Sequence, residues 1–159
     1  MATKQEIVEM IQAGIDQVQQ TFGSLSDAQL ATTVYDGDGG WTAKEILAHL
    51  ASRQPVYERM IGVVQGTASF PSGNVDFNAL NQAAVDQIVD KSRDDLLAHF
   101  RDVHQALKTR VQGLPDELLG KTISLPMGER VLGDILLGSG GQHSINHSLD
   151  VEKALANRR

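Results

Sequence analysis

The chain contains no cysteine among its 159 residues. This absence excludes disulfide bonds, zinc sites built on thiolates and every mechanism that uses a cysteine nucleophile. The chain also lacks any run of 18 apolar residues, so the sequence predicts no transmembrane helix and no membrane partner. Histidine and carboxylate side chains are left as the candidate ligands for a metal ion.

Basic charge is scarce as well. The chain has 14 Lys and Arg against 20 Asp and Glu, a net charge of -6, which argues against a general affinity for nucleic acid or anionic membranes. The first ten residues, MATKQEIVEM, are polar and amphipathic, unlike a signal peptide. We therefore expect a cytoplasmic protein, and the length favours a single domain with one sizeable core.

Two capping boxes mark the first two predicted helices. Thr3 and Glu6 form one box at the start of the first helix, and Thr42 and Glu45 form another at the start of the second. Apolar residues at helical spacing follow each box. Pro55 lies inside the second pattern and predicts a kink or a local break, because its ring nitrogen has no hydrogen to donate.

Two further helical patterns complete the chain. The third runs from about residue 75 to Val111, with an interruption expected near Lys91–Ser92, and the last runs from about Val131 to Ala156. Between them, KTISLPMGER alternates polar and apolar residues around a Pro-Met-Gly turn, which favours a small hairpin or an ordered loop. Four long amphipathic segments with little strand signal predict an all-α bundle. The predicted core of the third pattern comprises Phe77, Leu80, Val85, Ile88, Leu96, Leu97, Phe100, Val103, Leu107 and Val111.

Glycine is concentrated in the last helical pattern, at Gly133, Gly138, Gly140 and Gly141. Each glycine in a helix interior costs roughly 1 kcal/mol relative to alanine. Two explanations are open. Either the helix breaks and Ser139 helps to start a new segment, or the small residues permit close approach of a neighbouring helix or ligand. The segment DGDGG at residues 36–40 is likewise predicted to be neither helix nor central strand.

Three histidines are the strongest candidates for a functional site. His143 and His147 lie four residues apart in GQHSINHSLDVEKAL, so they project from one face of the last helix, about 6 Å apart along its axis. His49 lies on the apolar side of the second helix, in TAKEILAHL. A third imidazole from a neighbouring helix would complete a three-nitrogen site for a divalent metal. Because HSINH lacks the glutamate of H-E-x-x-H, the segment does not match the zincin motif.

Each of these histidines also has a simpler explanation. A single histidine on an apolar helix face is commonly a hydrogen-bonded core residue, and i,i+4 pairs occur by chance on solvated helices. Glu45 and Asp150 lie near the histidines along their helices. Each is a candidate for a fourth ligand, a partner that orients a ligand, or a general base. Glu45 is equally explained by its capping box, and Asp150 by an ion pair with Lys153. The residues alone leave these alternatives open, and they assign no catalytic residue.

The remaining candidates are interpreted as structural. His99 and His104 are five residues apart and do not share a helix face, so we interpret them as structural or surface histidines. Trp41, the single tryptophan, is interpreted as a core anchor at a helix start rather than a platform for substrate. Asn78 and Asn81 in FNALNQ line a pocket or cap a helix turn.

Two segments, WTAKEILAHLASRQ and GQHSINHSLDVEKAL, carry a resemblance to a known family. They resemble the second helix and the last helix of the DinB-like (DinB/YfiT) superfamily of metalloenzymes. In that family a tryptophan leads the second helix, which carries the first metal-binding histidine, and the last helix carries the other two. FNALNQ and ISLPMGERVLGDILL lie at matching positions between them, so the resemblance spans nearly the whole chain.

The resemblance implies a single DinB-like domain over residues 1–159. Its fold is a four-helix bundle in up-down-down-up order, with a long crossover between helices 2 and 3 that the loop at residues 66–76 would supply. The family's metal triad carries over to His49, His143 and His147, which would bind Zn, Ni, Fe or Mn. It further implies a homodimer, a small-molecule substrate and, as in some relatives, a low-molecular-weight thiol cosubstrate.

Three hypotheses about function remain open from the sequence. The leading one is a metal-dependent enzyme similar to thiol (S-)transferases, whose thiol must come from outside because the chain has no cysteine. The enzymatic alternative is a metal-dependent hydrolase, since an open metal position lowers the pKa of bound water to about 7. The third is a non-catalytic stress-response or binding module, either with a structural metal or with three unconnected histidines. The sequence names neither the metal nor the substrate.

Overall fold

The structure is a computed structural model that describes residues 1–37, 40–125 and 128–158. These residues form α-helices joined by short connections, one π-helical turn and one small sheet. The π turn interrupts the last bundle helix, and the sheet precedes that helix. In chain order the elements are α1 (Lys4–Phe22), α2 (Asp27–Leu30), α3 (Ala43–Ala51), α4 (Gln54–Gln65), α5 (Phe77–Asp86), α6 (Arg93–Gly113), α7 (Asp116–Leu119), β1 (Thr122–Leu125), β2 (Gly128–Val131), α8 (Leu132–Leu137), the π turn (Gly138–Gln142) and α9 (His143–Ala156).

The predicted helix starts are confirmed at their caps. Both capping boxes form in full, with Thr3 at the start of α1 and Thr42 at the start of α3. Ser92 caps α6, so the third helical pattern is interrupted at the predicted place. Pro55 produces a break rather than a kink, because α3 ends at Ala51 and α4 restarts with the proline in its first turn, where no hydrogen bond is lost.

Hydrogen bonds between helices give the direction of each bundle helix. The start of α1 meets the start of α8, and the last turns of α1 meet the second half of α9, so these helices run parallel, whereas α1 and α6 run antiparallel. Since α4 and α6 run parallel to each other, the order is up-down-down-up, as the resemblance implies. The bonded pairs are Ala2–Asp134 and Gln17–Glu152, then Gln12–Lys108 and Leu25–Arg93, then Tyr57–His104 and Gln65–Arg110.

The chain needs a crossover because α4 and α6, which follow each other in the bundle, run parallel. A chain that leaves α4 must return along the bundle before it can start α6 in the same direction. The return consists of residues 66–76, helix α5 and the turn before Ser92. Gly66 ends α4 with φ of 75°, a left-handed conformation that favours glycine.

The core prediction is wrong at two positions of α5. Phe77 is 43% exposed and Leu80 is 56% exposed, although both lie on the apolar side of the helical pattern. Helix α5 belongs to the crossover, outside the bundle, and Val85 is its buried apolar residue. The core lies instead between the four bundle helices, around Ile7, Ile11, Phe22, Ile46, Leu47, Leu50, Ile61, Leu96, Phe100, Leu132 and Leu136.

The glycine-rich segment does not start a new helix at Ser139, so that alternative is wrong. The chain passes through one π turn and continues directly into α9, whose backbone at His143 donates to the carbonyl of Gly138. Close approach is the explanation that holds. A side-chain carbon at Gly141 would meet the backbone carbonyl of Met10, and one at Gly14 would lie 3.1 Å from the carbonyl oxygen of Gly141.

The predicted hairpin forms as two antiparallel strands, with Thr122 paired to Val131 and Leu125 paired to Gly128. Pro126 and Met127 of the predicted Pro-Met-Gly turn lie outside the described residues, as do Asp38 and Gly39 of the DGDGG segment. Among the helices of the described ranges, none is long and apolar enough to cross a membrane.

Candidate metal centre

Helices α3 and α9 bring the three predicted histidines together. His49 Nε2 lies 3.0 Å from His143 Nε2, across the interface between the two helices. His147 lies one turn along α9, with its ring centroid 4.4 Å from that of His143. One ring nitrogen from each histidine lies within 4.8 Å of the other two. Three nitrogens at this separation surround a space of the size that one divalent ion occupies.

Burial keeps these imidazoles neutral. His49 is 3% exposed, and burial, followed by the positive charge of Arg53 and by repulsion from any proton charge on His143 or His147, lowers its pKa to about 2. Burial also lowers the pKa of His143 to about 3, and it lowers the pKa of His147 despite the opposing charge of Asp150. Neutral imidazoles keep the lone pair that a metal ion needs, so the donor set fits a divalent cation at neutral pH.

A tyrosine and a carboxylate fix the orientation of His147. The Tyr35 hydroxyl donates to Asp150 Oδ2 at 2.7 Å and lies 2.7 Å from His147 Nδ1. Because the single hydroxyl proton is used on Asp150, Nδ1 of His147 carries a proton and donates it to the tyrosine oxygen. That tautomer leaves the lone pair on Nε2, the nitrogen that is available to a metal. Asp150 therefore fits the alternative of a partner that orients a ligand, and no ion pair with Lys153 forms within the described residues.

Trp41 is half-buried and packs against the bundle core, as predicted, and it also lies against the site. Its ring centroid is 4.7 Å from that of His49, and its Nε1 donates to Gln82 Oε1 at 2.8 Å. The tryptophan therefore connects the crossover helix α5 to a candidate ligand. Glu45 stays in its capping box, where its Oε2 accepts from the backbone and the hydroxyl of Thr42. Asn78 is exposed and Asn81 is half-buried on α5.

Arg53 and Ser139 form a second contact between the same two segments. Arg53 Nη2 donates to Ser139 Oγ at 2.9 Å, four residues along each segment from the contact between His49 and His143. Sequence reasoning missed Arg53 because an arginine at a helix break is usually solvated. It missed Tyr35 as well, which lies in an irregular stretch without periodicity. For Arg53, the sequence did contain one signal, since it lies four residues after His49.

The two other histidines behave as predicted. His99 is exposed on α6, whereas His104 is fully buried. His104 Nδ1 donates to the carbonyl of Phe100 at 2.9 Å, and the Tyr57 hydroxyl lies 3.1 Å from Nε2 and 2.9 Å from the carbonyl oxygen of Ser139. With both ring nitrogens next to protein partners, His104 is a hydrogen-bonded core residue.

The surface cavities of the described residues include a larger one and a smaller one. The larger, about 550 Å³, lies between the crossover loop and β1, and no histidine lines it. The smaller, about 200 Å³, is lined by Val34, Tyr35, Asp150 and Lys153, among others. The smaller cavity is therefore the one that reaches the hydrogen bonds behind His147.

Comparison with known families gives one match. Residues 11–138 match the family described as "Mycothiol maleylpyruvate isomerase N-terminal domain". The matched range includes His49 and ends before His143 and His147, so the last helix is tied to the site by geometry rather than by this match. No curated protein matches the sequence.

Solved structures share the fold at low identity. YfiT from Bacillus subtilis, "a probable metal-dependent hydrolase with an unusual four-helix bundle topology", has a TM-score of 0.77 at 18% identity over 98% of this chain and 87% of its own. The mycothiol-dependent maleylpyruvate isomerase has a TM-score of 0.74 at 13% identity over 94% of this chain, which spans 61% of the isomerase. The colibactin self-resistance protein ClbS, in complex with a double-stranded DNA, has a TM-score of 0.76 at 16% identity over 98% of this chain and 97% of its own. At these identities the likeness shows the four-helix bundle and nothing finer.

Proposed function

The chain belongs to the mycothiol maleylpyruvate isomerase N-terminal domain family, and on that premise we propose that it is a metal-dependent enzyme. His49, His143 and His147 hold one divalent ion, and Zn, Ni, Fe and Mn all accept imidazole. The observation that carries the proposal is the convergence of one ring nitrogen from each histidine within 4.8 Å. Three protein ligands leave a coordination position for a molecule from solution, which is typical of a catalytic site.

The side chains around the triad have defined tasks in this proposal. Tyr35 and Asp150 hold His147 in the tautomer that presents Nε2. The ring of Trp41 packs on His49 and restricts its rotation. When bound, the ion supplies a Lewis-acid centre that activates a thiolate or a water molecule.

The reaction class that we propose is thiol transfer with a low-molecular-weight thiol as cosubstrate. A carbon–sulfur bond forms at an electrophilic carbon of a small molecule, a leaving group departs, and the thiol proton passes to solvent. The name of the family, which is that of a mycothiol-dependent enzyme, supports this class, and because the chain has no cysteine the thiol comes from solution.

A screen of thiols tests the proposal directly. Protein loaded with Zn, Ni, Fe or Mn is incubated with a panel of low-molecular-weight thiols and electrophiles, and thioether products are measured by mass spectrometry. We expect product only with metal-loaded wild type, and none with His143→Ala or after chelation. The exposed His99→Ala variant serves as the matched control and stays active. Equal product from wild type and His143→Ala would contradict the proposal.

Metal-dependent hydrolysis is the second candidate. Asp150 reaches His147 through Tyr35 and is exposed to solvent, so a carboxylate is connected to the site and accessible to protons. A hydrolase would cleave ester or amide substrates without any thiol, which separates the two classes in the same screen. A non-catalytic module with a structural metal would show neither activity and would unfold on chelation.

We further propose that residues 1–159 form one domain that works in the cytoplasm as a homodimer and does not bind nucleic acid. Exposed apolar side chains at Phe77, Leu80 and Leu149 support a subunit interface, and the net charge of -6 disfavours nucleic acid. Light scattering of the full chain tests the dimer. A binding assay with double-stranded DNA tests the last point.

A further inference from the structure

We infer that Arg53 makes this centre select an anionic substrate, one that carries a carboxylate or a similarly charged oxyanion group. The assignment rests on the proposed metal site and goes beyond it by naming the chemical class of its ligand. In this role Arg53 binds the charged group of a molecule whose reacting atom lies at the three histidines.

Arg53 lies close to His49 along the chain, and its hydrogen-bond partner lies close to His143. Arg53 follows His49 by four residues, and its partner Ser139 precedes His143 by four. The contact between Arg53 and Ser139, at 2.9 Å, is therefore four residues away along both segments from the contact between His49 and His143, at 3.0 Å.

The guanidinium has unused donors. Its Nε is buried and has no hydrogen-bond partner among the described residues. One N–H, on Nη2, donates to Ser139, while the ring of Tyr57 lies 5.8 Å from the guanidinium carbon and supports it. A buried donor without a partner is costly in a folded protein, so it indicates a ligand or water that completes the site. Arginine presents its donors as a planar fork that matches carboxylate geometry.

The charges around Arg53 also favour an anion. No carboxylate lies within 4.0 Å of Arg53 in the described part of the chain. A divalent ion would add two further positive charges, and a bound anion compensates them.

Cobalt provides a spectroscopic test with a probe of known chemistry. Co(II) replaces the native ion, and its visible absorption bands report on ligands that enter its coordination sphere. Wild-type protein is titrated with acetate and, separately, with its neutral isostere acetamide. We expect acetate to bind and acetamide to bind much more weakly. In Arg53→Gln we expect acetate affinity to fall roughly 10- to 100-fold, because a charge-assisted hydrogen bond is lost.

Three variants give the controls. Arg53→Lys keeps the charge without the fork and should recover part of the affinity. Arg59→Gln removes an exposed arginine from the same helix and should bind acetate like wild type. Circular dichroism establishes that each variant is folded, and Co(II) stoichiometry establishes that its metal site is intact.

The outcomes separate the inference from the proposal beneath it. Stoichiometric Co(II) with equal acetate affinity in wild type and Arg53→Gln would overturn the role of Arg53 and leave the metal site standing. Acetamide binding as tightly as acetate would overturn it in the same way. Failure of wild type to bind Co(II) would overturn the proposed function, and with it the assignment of Arg53.

Discussion

Buried histidines occur in two places in this bundle, and they differ in what their ring nitrogens face. At His104, one nitrogen donates to the Phe100 carbonyl and the other faces the Tyr57 hydroxyl. At the triad, the nitrogens of His49 and His143 face each other instead. A histidine whose ring nitrogens contact a carbonyl and a hydroxyl has a protein partner for each nitrogen. Ring nitrogens that face those of other histidines are satisfied only by a shared proton or by a metal ion.

Burial alone does not separate the two places. Burial is the largest cause of the lowered pKa in both, to about 4 for His104 and about 3 for His143. A perturbed histidine is therefore weak evidence for a metal site unless the partners of both its nitrogens are known. The distinction lies in geometry, and the following predictions act on it.

The largest expected effect follows from removing a triad ligand. His49→Ala, His143→Ala and His147→Ala should each lower metal affinity by more than the roughly 100-fold that loss of an orienting partner costs. His104→Gln should leave metal affinity unchanged, since neither ring nitrogen of His104 faces the triad. Isothermal titration with a competing chelator measures both. A His104→Gln variant that loses its metal would erase the distinction between the two places.

The two tyrosines of the chain provide a matched pair. Tyr35→Phe removes the hydroxyl between His147 and Asp150 and should lower metal affinity about 10- to 100-fold. Tyr57→Phe removes the hydroxyl next to His104 and should instead lower the free energy of unfolding by about 1–2 kcal/mol, with metal affinity intact. The reverse pattern, with Tyr57→Phe losing metal and Tyr35→Phe keeping it, would refute the assigned roles.

The pH dependence of stability should report His104. Its folded-state pKa of about 4 lies below its unfolded value of 6.5, so the unfolded chain binds more protons between those values. Its contribution is therefore complete above pH 6.5 and is lost as the pH falls toward 4. We expect wild type to lose about 2 kcal/mol more than His104→Gln between about pH 7.5 and pH 5. Urea titrations of the two metal-free proteins measure the difference, and identical pH profiles would exclude a neutral, buried His104.

The smallest expected effect is on the free energy of unfolding, from substitutions in the π turn. A side chain at Gly138 meets nothing within 4 Å, so Gly138→Ala should raise the free energy of unfolding by up to about 1 kcal/mol. Gly141→Ala should do the opposite, because the new carbon would lie 2.5 Å from Met10 Cγ. Thermal unfolding compares the pair. Equal melting temperatures would show that close approach is not the reason for glycine at 141.

The sequence contains enough local information to predict the helix starts and the shared face of His143 and His147. Caps such as Thr3 and Thr42 act within four residues, and helical spacing is fixed by geometry. The contact of His49 with His143 depends on helix directions, which the family resemblance supplied and the composition did not.

Features that depend on long-range packing could not be predicted. Phe77 and Leu80 have the spacing of core residues, yet α5 lies in the crossover, where one side of the helix faces solvent. Tyr35 reaches His147 from a stretch without periodicity, and Arg53 meets Ser139 across an interface between α-helical and π-helical segments. In each case the partner lies far away in the chain, and local patterns contain no information about it.

The central claim is that the three histidines form one metal site, and elemental analysis of reconstituted protein tests it most directly. Wild-type protein is incubated with excess Zn, Ni, Fe or Mn, desalted and analysed together with the three triad alanine variants. We expect close to one ion per chain in wild type for at least one of these metals. We expect each variant to lose that ion while it retains the helical far-UV spectrum. Full occupancy in all three variants, or none in wild type, would contradict the central claim.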